Sequence, residues 1–365
     1  MNEKLKCLEK VAIVLPSLDP DKKFALVLEG LLNKGFKHIV IVNDGSSAEN
    51  LHWFEEAAQN EKCVVLHHEV NKGKGRALKN AFAYVADNLP ELEGVITIDG
   101  DGQHLLEDII ACGERMLECD EGVVLGCRDF NQPGIPPRSV AGNKTTSRFF
   151  RLLFNIKLGD TQTGLRAIPA KYLRDFCQIE GERFEYETNM LLNMKRMGIP
   201  FIEQPIATVY DPDDYSSHYN ALKDSYRIFK VMFKFLCSGS GFRYLISAVL
   251  SWVLDNGLYL LLLTMMGVTF TTAAQLIARV LSSVFNFNMN KLYVFRSKEN
   301  YWKAMAKYYG LCIPQTFVTV VCLTGLVALL HISLPAIATG VKLVLELVIF
   351  VISYYIQNKW VFKKK

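Results

Sequence analysis

Residues 95–104 read VITIDGDGQH, a four-residue apolar run that ends in carboxylates alternating with glycine. A continuous apolar run of this length, bounded by turn residues, reads as a strand buried on both faces. Four more runs share the shape: VAIVL at 11–15, IVIVN at 39–43, CVVL at 63–66 and VVLG at 123–126. The stretches between them, about 22–34, 48–59, 74–88 and 105–118, carry helical spacing. Short buried strands alternating with helices predict a mostly parallel sheet covered on both faces. In such a sheet, ligands bind beyond the carboxyl ends of the strands.

Those ends carry Pro16-Ser17-Leu18-Asp19, Asn43-Asp44-Gly45-Ser46-Ser47, Asn71-Lys72-Gly73-Lys74-Gly75 and Asp99-Gly100-Asp101-Gly102-Gln103-His104. Each alone is an ordinary strand-to-helix turn, because Asp, Asn, Gly and Ser favour turns and N-caps. Taken together, carboxylate loops beside a loop with two lysines describe a site for an anionic, metal-bound ligand. Asp99, Asp101 and Gln103, two residues apart, share one side of an extended segment. Few, hard oxygen donors suit Mg²⁺ or Mn²⁺ completed by water and substrate phosphates. A glycosidase-type carboxylate pair is the competing reading, and Lys72, Lys74 and Arg76 favour a phosphate-bearing substrate over it.

The chain has 365 residues, of which 50% are hydrophobic and 21% charged. This excludes a disordered, collagen-like or disulfide-stapled protein. Residues 1–240 carry 29 Lys+Arg against 34 Asp+Glu, whereas 241–365 carry 12 against 3. The second part reads as four apolar spans, at about 244–266, 270–290, 308–330 and 336–357. Lys291, Arg296, Lys298, Lys303 and Lys307 lie between the middle two, and three lysines end the chain. The positive-inside rule then puts both termini and the central loop in the cytoplasm of a multi-pass cell-membrane protein. The start, MNEKLKCLEK, lacks a signal-peptide core and leads into the first strand, so the soluble half is expected in the cytosol. Nine cysteines without a CxxC pair predict reduced thiols and no zinc site.

Between the parts, residues 220–236 carry Leu222, Tyr226, Phe229, Met232, Phe233 and Leu236 beside a stripe of Lys223, Arg227, Lys230 and Lys234. That pattern predicts an amphipathic helix on an anionic leaflet. A helix over 140–158, with Phe149, Leu152 and Leu153 among Arg148 and Arg151, is either a second surface helix or a core helix. An internal repeat is visible. NKLYVF at 290–295 closes the second span and NKWVF at 358–362 the fourth, while Arg243-Tyr244 and Lys307-Tyr308 open the first and third. Asp255, Arg279, Lys342 and Glu346 lie within spans and need partners or a polar path.

The order PSLD, VNDGS, NKGKG, DGDGQH, GCR and DTQTGLR resembles the family 2 glycosyltransferases, nearest to those of the dolichol-phosphate mannose synthase type. The repeat, with Asn286, Asn288 and Asn290, resembles the GtrA-like membrane domain. The resemblance implies a GT-A catalytic domain, a Rossmann-like mixed sheet, over 1–215. A juxtamembrane helix and linker (216–240) and a four-helix transmembrane domain (241–365) would follow. It implies a nucleotide-sugar site with Pro16, Asp19, Asp44, Lys74 and Asp99 toward the nucleotide, and a metal on Asp99, Asp101 and Gln103. Relatives often carry Asp where this chain has Asn43, so the nucleoside contact is expected at Asp44. Arg128 and Arg138 are expected at phosphate and Asp160 near the reacting sugar. Many relatives place a basic residue after the last soluble strand; here Ser217 and His218 are the expected substitutes.

The implied activity is inverting transfer of one sugar from a nucleotide-sugar to polyprenyl phosphate such as undecaprenyl phosphate, with catalytic residues Asp99, Asp101, Asp160 and Arg128. A binding-only translocase and a processive polysaccharide synthase are the alternatives. Membrane lipids are the further expected partner, nucleic acid is not, and self-association through the membrane domain is left open.

Overall fold

The computed structural model describes residues 4–119, 121–132, 135–208, 221–266, 268–329 and 335–362. The chain divides into two compact units, Met1–Phe235 and Leu236–Lys365.

The first unit is built on a seven-stranded sheet of order β3-β2-β1-β4-β6-β5-β7. The strands are β1 (Val11–Ser17), β2 (His38–Asn43), β3 (Cys63–His67), β4 (Gly94–Thr97), β5 (Val123–Arg128), β6 (Arg166–Pro169) and β7 (Phe201–Ile206). β6 runs antiparallel to its neighbours β4 and β5, and the remaining pairs are parallel. The reversal positions the site. Arg166, the first residue of β6, pairs with Thr97, the last of β4. The DTQTGLR loop therefore reaches the sheet at the edge where β4 releases Asp99.

Helices α2 (Lys22–Lys34), α3 (Leu51–Ala58), α4 (Lys74–Asn88) and α5 (Leu106–Glu118) fall at the four stretches of helical spacing. They bury Phe24, Leu31, Phe54, Leu78, Phe82 and Ile109 against strands whose own residues 11–15 are fully buried. A short helix α1 (Lys4–Lys10) precedes β1, where the sequence predicts only a charged lead-in. Seven residues make under two turns, too few for a period to show. Cys7 and Leu8 nonetheless dock in the core, and a Cβ on Gly113 of α5 would stand 2.2 Å from Cys7 Sγ. Helices α6 (Pro137–Phe154), α7 (Leu173–Cys177), α8 (Glu185–Met197) and α9 (Ala221–Ser238) complete the described helices up to residue 238.

The second unit contains α10 (Ser240–Met266), α11 (Thr271–Asn288), α12 (Tyr301–Leu329) and α13 (Pro335–Ile356). Among the described residues, two stretches, Ser240–Met266 and Val344–Val361, are long and apolar enough to cross a membrane. The sequence repeat is a structural one. Both α11 and α13 close on a π-helical turn, Met289–Val294 and Gln357–Val361. Tyr308 at the start of α12 donates to Asn286 of α11 at 2.8 Å, and Tyr244 at the start of α10 donates to Ser353 of α13 at 3.3 Å. Phe287 lies 5.4 Å from Tyr308 and 5.8 Å from Phe362; Tyr354 lies 5.4 Å from Tyr244 and 5.9 Å from Phe295. Counting back from Phe295 and Phe362 sets Asn290 opposite Gln357, and the two join through a 3.1 Å hydrogen bond. The motifs thus correspond one residue away from the Asn290–Asn358 match that their letters suggest.

Asp255 accepts from Ser282 at 2.8 Å and pairs with Arg279 at 3.2 Å, so these two charges neutralise each other between α10 and α11. The side chain of Lys342 lies outside the described residues.

Candidate active site

The loops at the carboxyl edge of β1, β2 and β3 are fastened to one another. Asp19, at a left-handed φ of 44°, accepts at Oδ1 from Ser47 N (2.7 Å), Ser47 Oγ (2.8 Å) and Asn50 (3.2 Å). Asp44 is buried and accepts from the backbone of Lys72 (2.9 Å) and Gly73 (2.8 Å), and from His68 Nδ1 (2.7 Å). His68 in turn accepts at Nε2 from Asn80 at 2.8 Å. The two aspartates expected at the nucleoside thus brace the loops of the site. Pro16, paired with Val42 in the ladder, is part of the strand that carries them.

The acidic loop after β4 is electrostatically loaded. Lys74 Nζ lies 2.6 Å from Asp99 Oδ1 and 3.1 Å from Glu187 Oε1. Burial would raise the Asp99 pKa, but the lysine and nearby His104 together hold the carboxyl well below its ordinary value. Burial would lower Lys74, but Asp99 and Glu187 hold it well above. Asp101 moves the other way: burial and the Asp99 charge both push its carboxyl up. Its Oδ1 accepts from the backbone N–H of Gln103 at 3.0 Å. Two carboxylates that repel each other, next to an amide oxygen, are a donor set that a divalent cation would relieve.

The chain closes over Asp99 from the other side. Thr97 Oγ1 donates to the Gly164 carbonyl at 2.7 Å and pins the DTQTGLR loop onto β4. A Cβ on Gly164 would stand 2.3 Å from Asp99 Oδ2. Gly164→Ala is therefore expected to push Asp99 off its position. The variant should fold and lose most nucleotide affinity, read by isothermal titration. Wild-type affinity would mean that Asp99 has room to yield.

In the same loop Asp160 is fully buried and takes a two-point contact from Arg128, Nε to Oδ2 at 2.7 Å and Nη2 to Oδ1 at 3.4 Å. Arg128 also lies over the Phe130 ring at 5.1 Å. Asn143 of α6, itself buried, holds the loop in place. It donates to the Gly159 carbonyl at 2.9 Å and accepts from Thr161 N at 3.3 Å.

The structure brings Lys74 to Asp99 and Arg128 to Asp160. Ser217 and His218 lie outside the described residues, as does the side chain of Arg138. Sequence reasoning missed Glu187 and Asn143, and also Glu182, which pairs with Arg76 at 2.6 Å and Lys79 at 3.2 Å. The charged run EGERFEYE at 180–187 was the available signal.

A mixed α/β sheet with this acidic and basic edge, ahead of a helical unit that repeats itself, has the GT-A type of architecture. Residues 13–191 match the model of Glycosyl transferase family 2, and residues 243–362 match the GtrA/DPMS transmembrane domain. The chain joins a family 2 glycosyltransferase domain to a GtrA/DPMS membrane domain. An uncharacterised protein of Methanocaldococcus jannaschii is 27% identical over 62% of this chain and 91% of its own. The UDP-N-acetylglucosamine–dolichyl-phosphate N-acetylglucosaminyltransferase of Methanococcus voltae is 27% identical over 55% of this chain and 86% of its own. Among solved structures, glucosyl-3-phosphoglycerate synthase from Mycobacterium tuberculosis, with Mn²⁺, UDP and glucosyl-3-phosphoglycerate, is 16% identical. It covers 65% of this chain and 81% of that one, with a TM-score of 0.47. Mannosyl-3-phosphoglycerate synthase from Rubrobacter xylanophilus, also 16% identical, covers 64% and 75%, with a TM-score of 0.48.

Proposed function

We propose that the protein transfers one sugar, with inversion, from a nucleotide-sugar to polyprenyl phosphate at the cytosolic face of a membrane. The observation that carries this reading is the union, on one chain, of the family 2 and GtrA/DPMS domains. The relative named for transfer to dolichyl phosphate supports the same acceptor class.

Asp99, Asp101 and Gln103 would hold Mg²⁺ or Mn²⁺, which neutralises charge growing on the leaving diphosphate. The acceptor is a phosphate monoester with a second pKa near 6, so it is largely dianionic at pH 7. Its oxygen attacks the anomeric carbon as the bond to the diphosphate breaks, and no strong general base is needed. Arg128 and Arg138 would hold the anionic groups against their mutual repulsion, with His218 and Ser217 as the further acceptor contacts. Asp160, buried on Arg128, would orient the sugar or the acceptor. Pro16, Asp19 and Asp44 shape the nucleoside pocket through their loops.

A surface of the first unit fits membrane docking. Phe149 of α6 meets Phe229 of α9 edge-on at 5.9 Å. Leu152, Leu153, Tyr226 and Phe233 are exposed on the same two helices. α6 also buries Phe150 and Phe154, so it serves the core and the surface together. The basic stripe is partly tied down: Arg227 pairs with Asp224 at 3.0 Å, and Lys234 pairs with Glu180. Changing Lys223, Arg227, Lys230 and Lys234 to Gln is expected to weaken docking to anionic lipid by at most about 1 kcal/mol per charge. Transfer should fall in anionic nanodiscs and hold in neutral detergent; an equal fall in both would make α9 a packing helix.

The deciding assay supplies the full-length protein in nanodiscs with a panel of UDP- and GDP-sugars and undecaprenyl phosphate. A lipid carrying one sugar is the expected product. A polymer would identify a processive synthase. No product, with movement of a supplied lipid-linked sugar across the bilayer, would identify a translocase.

A further inference from the structure

Lys74 opens α4, and its place there conflicts with local electrostatics. The start of a helix carries partial positive charge, which favours anions and disfavours a cation. Such a conflict in an otherwise consistent fold marks function. The ammonium is held by two carboxylates from distant parts of the chain, at 2.6 Å from Asp99 Oδ1 and 3.1 Å from Glu187 Oε1. Glu187 belongs to the first turn of α8, where a carboxylate is favoured, and its side chain is 14% exposed. It is a fixed anchor. Both oxygens of Asp99 have a neighbour: Lys74 takes Oδ1, while Gly164 lies against Oδ2 and His104 Nε2 stands 3.8 Å from it. A divalent ion that uses Asp99 must therefore contend with the ammonium already there.

We propose that Lys74 is a built-in cation that neutralises Asp99 until donor and metal arrive, then passes Asp99 to the metal and turns to the donor diphosphate. Glu187 keeps the lysine within reach throughout. No covalent bond changes; one ionic contact is exchanged for another. The helix start that disfavours the ammonium favours the diphosphate that would meet it. Metal and nucleotide then bind in a linked way, each removing an obstacle to the other. This deepens the donor-site reading above and rests on it.

The test is Mn²⁺ binding to the full-length protein in detergent, read by electron paramagnetic resonance, first with Mn²⁺ alone and then with UDP or GDP. Lys74→Met is expected to tighten binding of Mn²⁺ alone by about tenfold and to weaken the nucleotide's enhancement of it. Glu187→Gln leaves the full lysine charge on Asp99 and should weaken binding of Mn²⁺ alone. The double variant Lys74→Met/Glu187→Gln keeps the cluster's net charge as in wild type and avoids two facing carboxylates. It should still bind Mn²⁺ more tightly than wild type, because the contact and not the net charge is what competes. Wild-type Mn²⁺ affinity in the double variant, with binding still lost in Asp101→Asn, overturns the lysine proposal and leaves the metal reading standing. Mn²⁺ binding that survives Asp101→Asn unchanged overturns the metal reading and this proposal with it.

Discussion

Asp101→Asn should lower sugar transfer by about 10²–10³-fold, the scale expected when one preorganised charge is removed from a transition state. Its fold should be intact. Asparagine keeps the shape, and its Oδ1 can still accept from Gln103 N, as Asp101 does at 3.0 Å. The sign of the stability effect follows from the acid's environment. Burial and the Asp99 charge push the Asp101 carboxyl up. An acid raised in the folded state is a burden on folding once pH exceeds its unfolded value, near 3.9. Neutralising it should leave the melting temperature at pH 7 unchanged or slightly higher. The expected pair of results is therefore lost transfer and kept stability, measured by product formation and thermal unfolding. Transfer within a few-fold of wild type at saturating Mg²⁺ or Mn²⁺ would falsify the metal assignment.

Arg128→Met should destabilise the first unit by about 3–5 kcal/mol, the usual consequence of stranding a buried charge. Asp160 is 0% exposed, and its charged partner in the described structure is the Arg128 guanidinium at 2.7 Å. Arg128→Lys should recover little, since an ammonium cannot reproduce the two-point contact. Arg128→Met/Asp160→Asn removes both charges and should regain most of the stability. If the pair also handles substrate, that double variant folds and stays inactive; if the pair only braces the loop, it transfers sugar. A single Arg128→Met variant with unchanged stability would mean that the pair does not form in solution. Chemical denaturation and product formation on the three variants separate these outcomes.

The five apolar runs were legible as strands because a strand buried on both faces needs no periodicity, only an uninterrupted apolar stretch with turn residues after it. β6 and β7 were not. Arg166-Ala-Ile-Pro is four residues long and begins with a buried charge. β7, of sequence FIEQPI, keeps polar residues and a proline at the sheet edge, where they are tolerated. The membrane repeat was visible in its aromatic and asparagine letters, but its register was not. Both copies end in a π-helical turn, and the hydrogen bond between Asn290 and Gln357 sets their register one residue away from the match of the letters.

By itself, the sequence determined the alternation of strands and helices, the sheet edge at which polar loops gather, and the acid–base character of those loops. These follow from local patterns, in which each residue's neighbours along the chain decide its state. Tertiary structure alone decided which charges meet. Lys74 finds Glu187 across 113 residues and Arg128 finds Asp160 across 32, because an antiparallel β6 returns the chain to the edge of β4 and α8 packs beside α4. It also decided that Asp44, read as a nucleoside contact, spends its carboxylate on the Lys72–Gly73 backbone. A carboxylate's type and place on the edge are local facts. Its partner is set by which distant segment the sheet brings within hydrogen-bonding distance, and no spacing along the chain encodes that.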